Sequence, residues 1–147
     1  MNQTYQVRCL GTGDLLHDDG FLLTNPASAK PALIRAEYAS RQLTVRTENP
    51  GIFRFADWLP GSRTLPGKGY PVTYRSESLA RKLGLERLYI TFSGYWPEKG
   101  AAMSTGTFKE CEAYAVCARY PQESRRILVV ASAGNTARAF LKVASEN

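Results

Sequence analysis

The sequence predicts an α/β fold, in which an incomplete and mostly parallel sheet has flanking helices and is preceded by an N-terminal β-like arm. The first observation is composition: 44% of the 147 residues are hydrophobic and 22% are charged, as in globular proteins with a core. The second is order, because strand-like and helix-like segments alternate in the C-terminal half and favour parallel pairing. The third is a strand-like opening followed by turns, which predicts an arm over residues 1–48 and a larger domain over residues 49–147.

The elements of the N-terminal half follow from alternation and from turn residues. Residues 5–10 alternate apolar and polar side chains and predict a short strand, and the segments 11–14 and 17–20 predict turns. Residues 35–43 are interpreted as one or two helical turns. Residues 49–71 are rich in proline and glycine, which predicts a long irregular crossing. Five apolar side chains predict that this crossing packs on the domain: Ile52, Phe53, Phe55, Trp58 and Leu59.

The C-terminal half predicts strands that alternate with helices. Ser76 suits an N-cap and Gly84 suits a left-handed end, so the first helix lies between them. Residues 88–92 predict a strand, and a second helix capped by Thr105 or Thr107 ends near residue 120. The remaining predicted elements are an apolar strand over residues 127–131 and a last helix from residue 136 to the end.

Two short motifs carry the candidate chemistry. Thr-Gly-Thr-Phe-Lys places Lys109 at a helix start, where the helix dipole opposes its charge, and a neutral amine is the form that condenses with an aldehyde. Ser-Ala-Gly-Asn-Thr, residues 132–136, follows a predicted strand and opens a helix. Backbone N–H groups at such a turn attract an anion such as a carboxylate, and the Asn135 amide can hydrogen-bond a ring oxygen. Together the two motifs predict half of a pyridoxal phosphate site.

Each motif alone also has a purely structural explanation. A lysine at a helix start is usually a solvated surface residue, and residues 132–136 suit an ordinary helix cap with a tight turn. The hypothesis of a cofactor site therefore depends on the occurrence of both motifs in one chain.

Charge and cysteine content exclude several function classes. The net charge of +6 and the pI of about 9.4 are compatible with small anionic ligands and equally with an ordinary solvated surface, whereas the scattered arginines and lysines argue against nucleic acid. No apolar run approaches the roughly 20 residues that cross a bilayer, and no secretion signal opens the chain, so we expect a cytoplasmic protein. The three cysteines have no metal spacing and are expected to be reduced and structural.

Four segments together share the pattern of one enzyme family: residues 69–85, 88–101, 108–110 and 131–140. The most specific is Ser-Gly-Tyr-Trp-Pro-Glu-Lys-Gly-Ala, residues 93–101, because Phe-Lys and Ser-Ala-Gly-Asn-Thr occur across a wider group. These segments resemble the N-terminal portion of cysteate synthases, relatives of threonine synthase. That family belongs to the tryptophan synthase β-like, fold type II enzymes that depend on pyridoxal 5′-phosphate.

The resemblance implies a β-replacement in which O-phospho-L-serine and sulfite give L-cysteate and phosphate, a step towards coenzyme M. It implies that Lys109 holds the cofactor covalently and moves the α-proton, and that Asn135 contacts the phenolic oxygen of the cofactor. The residues implied for the substrate carboxylate are Ser132, Ala133, Gly134, Asn135 and Thr136. Weaker candidates for anion contacts are Thr105, Lys99 and Arg75.

The chain departs from the family pattern in two ways. Relatives carry cysteines with zinc-knuckle character near the N-terminus, whereas Cys9 is followed by Thr12 and the later position is Asn25, so no metal is expected. Relatives are also longer, and we expect the loop for the cofactor phosphate to lie outside these 147 residues. We expect a piece of a longer enzyme, a chain that a second polypeptide or a homodimer completes, or a remnant without catalysis.

Three hypotheses therefore stay open at the level of sequence. The first is the β-replacement enzyme, with threonine synthase or phosphoserine sulfhydrylase activity as related alternatives. The second is a non-catalytic protein that binds the cofactor or a partner. The third is a basic protein that binds nucleic acid.

Overall fold

The computed structural model describes residues 4–67 and 69–147, which form two compact units. The first unit contains the described residues within Met1–Pro66 together with Tyr114–Val129. The second contains the described residues within Gly67–Ala113 together with Val130–Asn147. The strands are β1 (Tyr5–Cys9), β2 (Leu15–Leu16), β3 (Ile34–Tyr38), β4 (Val72–Arg75), β5 (Tyr89–Phe92), β6 (Tyr95–Trp96) and β7 (Ala101–Ala102). The α-helices are α1 (Glu77–Leu83), α2 (Lys109–Cys117) and α3 (Asn135–Glu146).

The first unit is built on an antiparallel sheet with the strand order β2-β1-β3. The predicted strand over residues 5–10 is confirmed as β1, whose side chains alternate so that Tyr5, Val7 and Cys9 are buried. A turn over the predicted segment 11–14 then leads into β2, which pairs with β1.

The prediction of helical turns over residues 35–43 is wrong. Residues 35–38 belong to β3, and residues 39–43 form neither helix nor strand. Strand β3 pairs with β1 along its whole length, from Tyr5 opposite Tyr38 to Cys9 opposite Ile34. The Glu37 carboxylate accepts hydrogen bonds from the guanidinium groups of Arg8 (3.0 Å) and Arg35 (2.7 Å). A complete ladder to a neighbouring strand and the cross-strand pair of Arg8 with Glu37 outweigh the local preference for a turn of helix.

Residues 49–71 contain more regular structure than the predicted irregular crossing. A 3₁₀ helix occupies Gly51–Trp58, and it begins at Gly51 with a φ of 53°, which glycine adopts without strain. Of the five apolar side chains predicted to pack, Ile52 and Phe53 are buried, whereas Phe55 and Trp58 are exposed. The Phe53 ring meets Tyr114 edge-on at 6.2 Å between centroids. This short helix therefore adds to the core of the first unit.

The second unit confirms the predicted first helix and the strand that follows it. Helix α1 begins after Ser76 and ends at Gly84, whose φ of 65° allows the left-handed conformation that closes the helix. The chain then enters β5, which pairs antiparallel with β4. A small hairpin of β6 and β7 follows, and its connection is a 3₁₀ turn over Pro97–Lys99.

The mostly parallel sheet is not formed by the described residues. Every strand pair in residues 4–67 and 69–147 is antiparallel, and these pairs make three small sheets. The predicted strand over residues 127–131 has no assigned strand structure, and Ile127 and Val129 are 88% and 84% exposed. An apolar run becomes a strand only when a neighbour takes up its N–H and C=O groups, and no described strand does so here.

Candidate functional site

Lys109 lies at the first turn of α2, directly after a tight turn over residues 103–107. Gly106 has a φ of 68° and donates its N–H to the Met103 carbonyl at 3.1 Å. The Lys109 N–H donates to the Thr107 hydroxyl oxygen at 3.3 Å, so Thr107 is the helix cap among the two predicted candidates. A glycine in the left-handed region and a threonine cap therefore fix where the helix starts.

The Lys109 side chain reaches solvent from this position. Its side chain is 48% exposed, and the Nζ atom lies 2.5 Å from the Glu112 carboxylate one turn along the helix. Such exposed pairs hold together weakly, so the amine can leave Glu112 to meet a carbonyl compound in solution.

The turn over residues 131–136 presents backbone N–H groups at the start of α3. Gly134 precedes the helix, and its own N–H donates to the Ser132 hydroxyl at 3.3 Å. No described side chain caps α3, so N–H groups of its first turn remain available to an anion. A Cβ placed on Gly134 would meet no atom within 4 Å, which leaves room for a ligand against the backbone.

The predicted site residues differ in how far they are open to solvent. Asn135, the first residue of α3, is exposed, as are Ser132, Ala133 and Gly134, whereas Thr136 is half-buried. Lys109 and Asn135 belong to the same unit, and an ion pair between Glu110 of α2 and Lys142 of α3 joins the two helices at 3.4 Å. The helix that carries the amine is thus joined to the helix that carries the amide by this ion pair, which Lys142 makes seven residues after Asn135.

The three weaker candidates make local contacts. Thr105 is buried, and both its hydroxyl and its N–H donate to Glu110. The Lys99 ammonium lies 5.8 Å from the centre of the Trp96 ring, and Arg75 donates to a backbone carbonyl 3.2 Å away. The contacts of Thr105 indicate that its donors hold the turn rather than face a ligand.

The residues around Cys9 form a hydrogen-bonded cluster. Asn25 donates to the Thr12 hydroxyl at 3.1 Å and to the Asp14 carboxylate at 3.0 Å, while Thr12 donates to Asp14 at 2.7 Å. The Thr12 hydroxyl beside the thiol lowers the pKa of Cys9 below its ordinary value. No group of three metal-ligating side chains occurs within the described ranges.

Sequence reasoning missed two buried charged groups. Glu110 is fully buried directly after Lys109, and Asp18 is buried with Tyr5 and Arg119 around its carboxylate. The only sequence signal for Glu110 was its place in the first turn of a helix. Acidic residues are favoured there by the helix dipole, which does not require them to be buried. For Asp18 there was no signal, because its partner Arg119 is 101 residues away in sequence.

Comparison with curated proteins places the motifs in a family context. The cysteate synthase of Methanocorpusculum labreanum is 46% identical to this chain over 142 residues, which is 97% of the chain. The chain is related to the cysteate synthases. Those of Methanosarcina acetivorans and Methanocella arvoryzae are 49% and 53% identical over 98% and 74% of the chain.

The related part of each cysteate synthase is limited. The chain spans about a third of the length of the curated relatives it matches, for example 34% of the Methanocorpusculum protein and 30% of the Methanosarcina protein. No family model matches the chain, and no solved structure matches it. Among the described residues, no helix has the length and apolar character that a membrane crossing demands.

Proposed function

We propose that this chain forms part of a pyridoxal phosphate-dependent enzyme that converts O-phospho-L-serine and sulfite to L-cysteate and phosphate. The observation that carries the proposal is the solvent-reaching Lys109 amine on a helix that contacts the helix opened by the uncapped 131–136 turn. Cysteate synthases that are 44–49% identical to the chain over nearly its whole length support cysteate as the product. The two substrates are those that the sequence resemblance implies. The family's complete activity remains a proposal, because about two thirds of each relative lies outside the match.

Lys109 and Asn135 are the residues that we propose for attachment of the cofactor, since both side chains are exposed. Pyridoxal phosphate, when bound, supplies an electron sink that makes the α-proton of an amino acid acidic and allows a β-substituent to leave. In our proposal the Lys109 amine would hold the cofactor through its aldehyde and, once the substrate amine has replaced it there, would accept the α-proton and return it. The Asn135 amide would donate a hydrogen bond to the phenolic oxygen of the cofactor.

The turn before α3 suits the substrate carboxylate. In the proposal, backbone N–H groups of this turn receive it, and the open space beside Gly134 lets it approach the backbone closely. The Ser132 N–H donates to the Val130 carbonyl at 3.0 Å, and the Gly134 N–H donates to the Ser132 hydroxyl at 3.3 Å. The proposed donors are therefore the N–H groups of Ala133, Asn135 and Thr136. The two anionic substrates would also be drawn by the chain's net charge of +6. With sulfide as the nucleophile, the same residues would serve a phosphoserine sulfhydrylase-like enzyme. A threonine synthase-like enzyme would differ in its amino-acid substrate as well as in using water.

A non-catalytic or partner-completed form is the second candidate. One observation favours it: Ile127 and Val129 are almost fully exposed in an apolar segment without strand structure. A complementing polypeptide or a second copy of the chain would bury such a segment. This candidate predicts cofactor attachment without turnover.

Titration of the purified chain with pyridoxal phosphate tests the proposal. We expect a visible absorbance band that is lost in Lys109→Ala and kept in Lys82→Ala, since Lys82 is another exposed lysine, near the end of α1. A band that survives Lys109→Ala contradicts the assignment of the attachment residue. If the band forms but phosphoserine and sulfite release no phosphate, the non-catalytic candidate is supported.

A further inference from the structure

We propose that Glu110 is the positioning residue that anchors the start of α2 to α3 and thereby sets the place of Lys109. The inference rests on the proposed function, because it assigns to Glu110 the task of holding the cofactor lysine beside the helix of Asn135. It does not make Glu110 a group that touches substrate or cofactor.

One carboxylate oxygen of Glu110 holds the turn that precedes the helix. Glu110 has no solvent exposure, and its Oε2 atom accepts hydrogen bonds from the Thr105 N–H at 3.1 Å and from the Thr105 hydroxyl at 2.7 Å. Hydrogen bonds to an ionised acceptor are stronger than neutral ones. The two bonds fix the backbone four residues ahead of Lys109.

The other carboxylate oxygen faces α3. The Lys142 ammonium lies 3.4 Å from Oε1, in an ion pair without hydrogen-bond geometry, and it also pairs with the exposed Glu146 carboxylate at 2.8 Å. The Lys142 side chain is 18% exposed, so both members of the inner pair are largely removed from water. Burying a carboxylate is costly unless it is paired and hydrogen-bonded. Here the hydrogen bonds come from the turn before α2 and the paired charge comes from α3.

Lys109 and Glu110 are adjacent on the helix but point in different directions. Successive helical residues are rotated by about 100°, so the inward carboxylate can act as an anchor while the lysine stays open to solvent. If the anchor is released, the first turn of α2 can shift or fray, and Lys109 moves with it. Misplacement of a reacting group by about 1 Å is enough to slow a reaction strongly.

The substitution Glu110→Gln tests whether the charge and hydrogen bonds of Glu110 hold the helix, as opposed to the buried volume of its side chain. The amide keeps the size of the side chain but replaces one acceptor oxygen by a donor, which must face either Lys142 or the donors of Thr105. The matched control is Glu146→Gln, which removes the exposed carboxylate partner of the same lysine. A milder variant, Thr105→Val, removes one donor to Glu110 and keeps the shape of the side chain.

Two measurements are made on the full chain at a temperature where circular dichroism shows every variant folded. The first is amide hydrogen exchange over residues 103–110. The second is the fraction of borohydride-trapped pyridoxal phosphate found on Lys109 among all lysines.

We expect Glu110→Gln to speed exchange of the Thr105 amide and to lower trapping at Lys109 by about tenfold. Glu146→Gln should stay within about twofold of the parent chain in both measurements, because exposed ion pairs contribute little. If Glu110→Gln does not fold, the same pattern at smaller amplitude is expected for Thr105→Val.

The proposal that Glu110 is an anchor is overturned if Glu110→Gln changes neither hydrogen exchange nor trapping at Lys109. It is also overturned if Glu146→Gln changes both measurements as much as Glu110→Gln does. Failure of the parent chain to trap the cofactor at Lys109 instead overturns the proposed function. In that case the exchange data alone decide whether Glu110 anchors α2.

Discussion

Replacement of Asp18 is expected to destabilise the first unit more than any exposed charge does. The Asp18 carboxylate is 4% exposed and accepts hydrogen bonds from the Tyr5 hydroxyl at 2.8 Å and from the Gly20 N–H at 2.9 Å. An Arg119 guanidinium nitrogen lies 3.0 Å from both carboxylate oxygens. Asp18→Ala therefore removes three partners at once and leaves Arg119, whose side chain is 20% exposed, without its counter-charge.

The magnitude follows from the burial of this pair. Removing one member of a buried ion pair costs about 3–5 kcal/mol, because the other charge stays away from water. Asp18→Asn keeps an acceptor for the Gly20 N–H but loses the charge, so we expect about 2–3 kcal/mol. With an m value of about 2 kcal/mol per M urea, Asp18→Ala should lower the urea midpoint by about 2 M.

Urea unfolding followed by tryptophan fluorescence measures this difference. An m value equal to that of the parent chain shows that the shift in midpoint reports a change in stability. The control is Arg35→Ala, which removes the 60%-exposed partner of Glu37 in the same unit and should cost less than about 1 kcal/mol. Equal losses for Asp18→Ala and Arg35→Ala would refute the reasoning, since burial would then make no difference.

Three further predictions concern the same fold. Gly20→Ala should lower the free energy of unfolding by about 2–4 kcal/mol, because the φ of Gly20 is 89° and an added Cβ would lie 2.3 Å from a backbone carbonyl oxygen. The control Gly13→Ala should cost only about 1 kcal/mol in the same urea assay, because Gly13 has a φ of 80° but open space around it. Burial, aided by Asp18, raises the pKa of Tyr5 from 10.0 to about 12, so its contribution to stability is complete below pH 10 and is lost as pH rises through about 12. The free energy of unfolding measured against pH should show this loss, and Tyr5→Phe should abolish it. Ile127→Ser should change that free energy by less than about 0.5 kcal/mol and should reduce self-association in light scattering; a large loss of stability would show that the side chain is buried in solution.

The local elements were predictable where the sequence carries its own start and stop signals. Helix α1 was predicted from Ser76 and Gly84, which lie at its two ends. The left-handed Gly84 closes the helix within its last turn, whereas Ser76 lies at the N-cap position without a side-chain hydrogen bond. The start of α2 was predicted for the same reason, since Thr107 caps it directly. The alternation of apolar and polar side chains was sufficient to predict β1.

Pairing between distant segments was not predictable from these signals. Residues 34–38 form a strand because β1 lies beside them, which no local pattern records. Residues 127–131 have the apolar pattern of a buried strand, yet the described residues provide no neighbour to pair with them. The site also combines local and distant features. The motifs at Lys109 and Asn135 could be recognised in the sequence, because each is a short continuous segment. The Glu110–Lys142 contact between their helices could not, because it joins residues 32 positions apart.

Peptide mapping after borohydride reduction tests the central claim most directly. The chain is mixed with pyridoxal phosphate, reduced so that the cofactor stays covalently bound, digested, and examined by mass spectrometry. The account predicts that the cofactor is found mainly on the peptide containing Lys109, and that Asn135→Ala lowers this yield. Label spread evenly over the exposed lysines, or concentrated on a lysine of another segment, would contradict it.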